Sequence, residues 1–175
     1  MHIYLIGYRG TGKTTVARLL GQVMERTVID TDDLIEAVAN QTIAEIFAAE
    51  GEAGFRQRES AVIAEVAGSA VPQIVATGGG VVLSEENRHT ISRSGQAIWL
   101  RASAELLYQR ICGDPSSPAR RPQLSASGGI DEVNDLLRAR EPLYRELARK
   151  IITTDGLSPD EVVAEILDWV KSEAR

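Results

Sequence analysis

Cysteine, histidine and aromatic side chains are scarce in this chain of 175 residues, which carries one cysteine, two histidines and 5% aromatics. A single thiol, Cys112, cannot close an intramolecular disulfide, which excludes a disulfide-stapled scaffold and suits a reducing compartment. Cys112 has no histidine nearby in the sequence, so it reads as a packing or hinge residue. Long hydrophobic runs are missing too: nothing approaches the roughly 20 apolar residues that span a bilayer. Met1-His2 leads directly into an apolar strand without a charged leader, so a cytoplasmic location and no membrane partner are expected. Excess positive charge is also absent. A net charge of −6 and a pI near 5.0 argue against nucleic acid as a partner. They leave room for a small anionic substrate, because a local arginine cluster overrides the global sign. No repeat, low-complexity tract or long apolar helix face stands out, so one domain spanning residues 1–175, working as a monomer, is the default reading.

What the chain does have is punctuation. Short apolar runs at 2–6, 27–30, 73–77, 96–100 and 150–153 alternate with helical patterns at 13–25, 33–70 (broken near Asn40 and Gly51), 84–93, 102–111, 131–149 and 158–171. That rhythm predicts an α/β fold, a five-stranded parallel sheet flanked by helices, with ligands at the carboxyl ends of the strands. Directly after the first strand comes G-Y-R-G-T-G-K-T, Gly7 to Thr14, a complete Walker A loop opening a helix. Its glycines let several backbone N–H groups converge, and the helix N-terminus adds positive partial charge. Gly10, Thr11, Gly12, Lys13, Thr14 and Thr15 are therefore expected to hold ATP phosphates. Lys13 reaches the β- and γ-phosphates, and the Thr14 hydroxyl reaches Mg²⁺.

Four other clusters follow. Asp30 and Asp32 end the second strand, and an extended i, i+2 spacing points both carboxylates the same way. Asp30 suits the metal's water shell; Asp32 suits an acceptor hydroxyl and its proton, with a helix N-cap as its plain structural alternative. Arg56 and Glu59 stand i, i+3 on a helix, so Glu59 can fix the Arg56 fork for a carboxylate, while Arg58 reads as surface. Gly78-Gly79-Gly80 replaces the aspartate that usually ends a Walker B strand, and three glycines suggest a ligand approaching bare backbone. Arg140 precedes Pro142, which should kink its helix. Finally, residues 113–129 are rich in Gly, Pro and Ser and carry adjacent Arg120 and Arg121. A loop of that length in a compact domain is expected to be a closing lid.

Taken together these segments resemble the shikimate kinase family: a Walker A loop, an Asp-x-Asp pair, F-R-x-x-E at Phe55–Glu59, G-G-G at Gly78–Gly80, an R-P-L lid element at Arg121-Pro122-Gln123-Leu124 and R-x-P-L-Y at Arg140–Tyr144. The resemblance covers essentially the whole chain, in order. It implies transfer of the ATP γ-phosphoryl group to the 3-hydroxyl of shikimate, with Lys13, Asp32 and Arg121 catalytic. It implies Mg²⁺ at Thr14 and Asp30, and shikimate held by Asp32, Arg56, Gly79 and Arg140 with Glu59, Gly78 and Gly80 in support. Arg110, Arg121 and Pro159 would join the ATP site, with residues 31–60 as the substrate-binding region. Gln123 departs from the family's Leu, which keeps Arg120 beside Arg121 as the alternative lid arginine. Another small-molecule kinase, such as a gluconate kinase, or a non-enzymatic ATP-binding module, shares the Walker loop but has no need of the other clusters together.

Overall fold

The computed structural model describes residues 1–113 and 129–173. The element order is β1 (His2–Ile6), α1 (Lys13–Met24), β2 (Val28–Asp30), α2 (Thr31–Ala39), α3 (Ile43–Ala67), β3 (Ile74–Ala76), α4 (Glu85–Ser94), β4 (Gly95–Arg101), α5 (Ala104–Gly113), α6 (Ile130–Leu147), β5 (Lys150–Thr153) and α7 (Pro159–Glu173), with a 3₁₀ turn at Val81–Leu83. The strands form one parallel sheet in the order β2-β3-β1-β4-β5. β1 lies at its centre, between β3 and β4. The chain therefore crosses to one side of β1 before β3 and to the other after it. In such sheets that reversal opens a crevice at the carboxyl end of the central strand, which is where the Walker loop emerges.

Strand periodicity sorts the core into two layers. Ile3 and Leu5 face α1 and α7 and pack with Val16, Leu20, Val162 and Ile166. Tyr4 and Ile6 face the other way, into a cluster with Ile63, Ile91, Trp99 and Tyr144. Burial on both faces explains why the central strands read as unbroken apolar runs.

The long helical pattern from 33 to 70 resolves into two helices. α2 is capped at its C-terminus by Asn40, in the left-handed region at φ 51°. α3 opens with a capping box: Thr42 accepts from the Glu45 N–H, and Glu45 accepts from the Thr42 N–H at 2.8 Å. Gly51, at φ 68°, interrupts α3, and Arg58 pairs with Glu50 across the interruption at 2.6 Å. Pro142, expected to kink its helix, sits inside α6 without interrupting it. One expected start is wrong in a way that matters. Helix α2 begins at Thr31, not residue 33, because the Asp30 carboxylate accepts the Asp32 N–H at 3.0 Å and caps it. Asp30 is the cap, and Asp32 lies in the first helical turn. The extended i, i+2 geometry assumed for the pair does not hold.

Candidate active site

The Walker loop is built to present N–H groups. Gly12 is the N-cap of α1 at φ 89°, a conformation costly for any residue with a Cβ. Gly7 packs so tightly that a Cβ there would overlap the Leu100 carbonyl. Lys13, 9% exposed, folds its ammonium back onto the loop, donating to the Gly7 and Tyr8 carbonyls at 2.9 and 2.8 Å. Those bonds hold a positive charge in the concavity.

Thr14, one residue on, donates its hydroxyl to Asp30 Oδ2 at 2.7 Å. The first residues of α1 are thereby tied to the end of β2. Burial pushes the Asp30 carboxyl above the usual aspartate range; the Thr14 bond opposes that, and nearby Asp32 and Asp33 add to it. A half-buried carboxylate with acidic neighbours, beside a hydroxyl and a phosphate loop, offers hard oxygen donors of the kind a divalent cation takes. Mg²⁺ fits it. Mg²⁺ takes few protein ligands and fills its shell from phosphates and water, so a pair rather than a cage is the expected arrangement.

The G-G-G turn meets the phosphate loop directly, since a Cβ on Gly79 would stand 3.2 Å from the Arg9 backbone nitrogen. Gly78 is held by its N–H, which donates to the buried Thr31 hydroxyl at 3.0 Å. Gly80 has an ordinary backbone, φ −99° and ψ 0°. The Arg56 guanidinium lies against it: a Cβ would fall 2.3 Å from Nη1, so any larger residue displaces the arginine from its present seat. The close approach expected of a ligand is thus made, at this position, by a protein side chain. Arg56 in turn donates to Glu59 at 2.8 Å and to Glu52 at 3.3 Å. Glu59 is fully buried. Burial alone would lower the Arg56 pKa, but the charges and hydrogen bonds of Glu59 and Glu52 reverse this and hold the guanidinium protonated.

Arg140 reaches the same turn from α6. Its Nη1 donates to the Gly79 carbonyl at 3.4 Å, and its guanidinium lies over the Tyr8 ring at 5.5 Å. Tyr144, one helical turn along, donates its hydroxyl to the same carbonyl. Two arginines from separate helices therefore converge on adjacent glycines, beside a phosphate loop. Sequence reasoning gave no role to Tyr144, Tyr8 or Thr31; each acts through a ring contact or a backbone bond to a residue distant in sequence.

On the far side of the loop is a cavity of about 310 Å³, lined by Gly10, Gly12, Thr15, Arg110, Leu157 and Pro159 among others. Arg110 closes onto the loop by donating to the Gly10 carbonyl at 3.0 Å. Asp155 accepts from the N–H and hydroxyl of Ser103, tying the 154–158 turn to the start of α5, which carries Arg110. Of the expected lid, residues 113–129, the stretch 114–128 with Arg120 and Arg121 lies outside the described residues.

The family model for shikimate kinase matches residues 9–171 of this chain. The chain belongs to the shikimate kinase family. It is 46% identical to the shikimate kinase of Rhodopirellula baltica over 95% of this chain and 88% of that one. It is 47% identical to that of Symbiobacterium thermophilum, over 96% and 95%. Among solved structures, a shikimate kinase from Acinetobacter baumannii in complex with shikimate superposes with a TM-score of 0.91 at 36% identity, covering 98% of this chain and 93% of that one. As a member of this family of shikimate kinases the protein is an ATP-dependent phosphotransferase, and its five-stranded sheet is the P-loop kinase fold. Among the described residues no helix is long and apolar enough to cross a membrane.

Proposed function

We propose that the chain phosphorylates shikimate, a small ring with one carboxylate and three hydroxyls, at its 3-hydroxyl. The observation that carries this reading is the convergence of Arg56 on Gly80 and Arg140 on Gly79, at a turn packed against the phosphate loop. Two guanidinium forks suit one carboxylate, and the turn's proximity to the Walker loop sets the ring's hydroxyls near the γ-phosphate. Asp32, in the first turn of α2, and the Gly79 N–H bind the hydroxyls. The 3-oxygen attacks the γ-phosphorus, the bond to the β–γ bridging oxygen breaks to release ADP, and the hydroxyl proton passes to Asp32. Lys13 and the loop N–H groups hold the phosphates; Arg110 and Pro159 bracket the adenine in the adjoining cavity. Thr14 and Asp30 would hold Mg²⁺, which when bound supplies charge neutralisation at the β- and γ-phosphates. Arg121 is assigned to the transferring phosphate on its R-P motif alone. The protein works as a cytoplasmic monomer.

The test is ADP release, coupled to NADH oxidation, with ATP and Mg²⁺ and with shikimate, gluconate or no acceptor. Turnover that requires shikimate supports the reading. Equal turnover with gluconate, or none with any acceptor, refutes it. Arg56→Lys and Arg140→Lys should each raise the shikimate KM while leaving the ATP KM in place, because lysine cannot offer a bidentate fork.

A further inference from the structure

We propose that Tyr144 is a positioning residue that keeps Arg140 available to the acceptor. The inference rests on the reading of Arg140 as a carboxylate ligand. Tyr144 is fully buried, its ring stacked on Trp99 at 5.5 Å between centroids and 22° between planes, so its hydroxyl has little freedom to leave the Gly79 carbonyl. Arg140 is one turn away on the same helix and donates to the same oxygen, but at 3.4 Å, near the limit of a hydrogen bond. The two donors share one acceptor unequally. A carbonyl in this turn needs a donor, and an unsatisfied one is costly. The hydroxyl meets that need. The guanidinium is left loosely held on the carbonyl and resting on the Tyr8 face, in a contact an incoming carboxylate can outcompete.

Without the hydroxyl, the donor already within reach of that oxygen is Arg140. It closes onto the carbonyl, and the acceptor must then pull it away. Tyr144→Phe keeps the ring and its stack on Trp99, so the fold is retained. It is expected to raise the shikimate KM roughly tenfold, the scale of one charge-assisted hydrogen bond redirected, with ATP KM unchanged. A double-mutant cycle with Arg140→Lys gives the second readout: the combined variant should bind shikimate about as poorly as Arg140→Lys alone, because both changes act on one guanidinium. If Tyr144→Phe lowers the melting temperature but leaves the shikimate KM where it was, or if the two effects multiply, Tyr144 is structural and the inference is overturned. If Arg140→Lys leaves the shikimate KM unchanged, it is the assignment of Arg140 to the carboxylate that fails.

Discussion

Gly80→Ala isolates the Arg56 contact. At φ −99° and ψ 0° the backbone accepts alanine, so conformational strain is not at issue. Space is. The added Cβ would fall 2.3, 2.5 and 2.6 Å from Nη1, Nη2 and Cζ of Arg56. Relaxed contact between such atoms is about 3.5 Å, so the guanidinium must retreat by about 1 Å. That retreat strains the 2.8 Å bond to Glu59, whose carboxylate is buried and cannot follow to solvent. Arginine is long enough to move, so the cost in stability is about 1–2 kcal/mol, the scale of one charge-assisted hydrogen bond weakened rather than a buried pair broken. For a domain of this size that lowers the melting temperature by roughly 2–8 °C. The cost at the acceptor is larger. A misplacement of about 1 Å in a positioning group can cost about 100-fold, and a lost arginine fork about 1.5–3 kcal/mol, so the shikimate KM should rise by roughly 10- to 100-fold. The ATP KM, measured in the same coupled assay, should not move. A folded Gly80→Ala protein with an unaltered shikimate KM would refute the idea that Arg56 is held in register by the bare turn; parallel losses for ATP and shikimate would show that the turn serves the phosphate loop instead.

Other expectations follow from the same contacts. Lys13→Ala should lower kcat by at least about 100-fold, as removal of one preorganised donor does, while circular dichroism reports an intact fold. Asp30→Asn should separate stability from function: asparagine still caps α2 and still accepts from Thr14, while relief of a half-buried charge beside Asp32 and Asp33 leaves the melting temperature equal or higher. The Mg²⁺ concentration for half-maximal activity should nonetheless rise about 10- to 100-fold. His2 accepts from the Gln73 N–H through Nδ1 and donates to the Ser69 carbonyl through Nε2, which requires the neutral ring. Burial lowers its pKa below 6.5, against the Ser69 bond and with help from the Met1 ammonium and Arg26. The unfolded chain then binds the proton more tightly, so this contribution is complete above pH 6.5 and is lost as the pH falls below it. Scanning calorimetry should show His2→Gln flattening the wild-type decline in melting temperature between about pH 7.5 and about pH 5.5.

Much of the fold was legible because the deciding signals are local. The apolar runs of β1, β3 and β4 are buried on both faces, the condition that makes a strand readable without alternation. Asn40 and Gly51 broke the long helical pattern where the sequence said they would, since a residue at positive φ announces itself by type. The start of α2 was misread for an equally local reason. Asp30, Asp32 and Asp33 are all good capping residues, and composition alone does not choose among them. The choice is tertiary: parallel pairing with β3 carries β2 through Asp30, opposite Ala76, and leaves Thr31 to begin the helix.

The site divides along the same line. The placement of Lys13 and Thr14 at the loop and the pairing of Arg56 with Glu59 were legible because motif spacing and helical spacing put them there. Tyr144 sits inside a recognised R-x-P-L-Y motif, yet its part depends on where α6 lies against a turn 65 residues away in sequence. The reason for the third glycine was equally hidden. A sequence shows that a Cβ is missing but not what fills the space, and a ligand is the natural guess in a phosphate-binding protein. At Gly80 the occupant is Arg56, so the turn contributes by seating an arginine. This joins two motifs that the sequence presents as independent. The F-R-x-x-E helix supplies the guanidinium and the carboxylate that orients it, and G-G-G supplies the flat surface against which it rests. The two act on one side chain: Glu59 fixes Arg56 from behind, and the absence of a Cβ at position 80 lets it settle in its present seat. A change at either motif should therefore produce the same selective loss of acceptor binding, and restoring one without the other should not recover it.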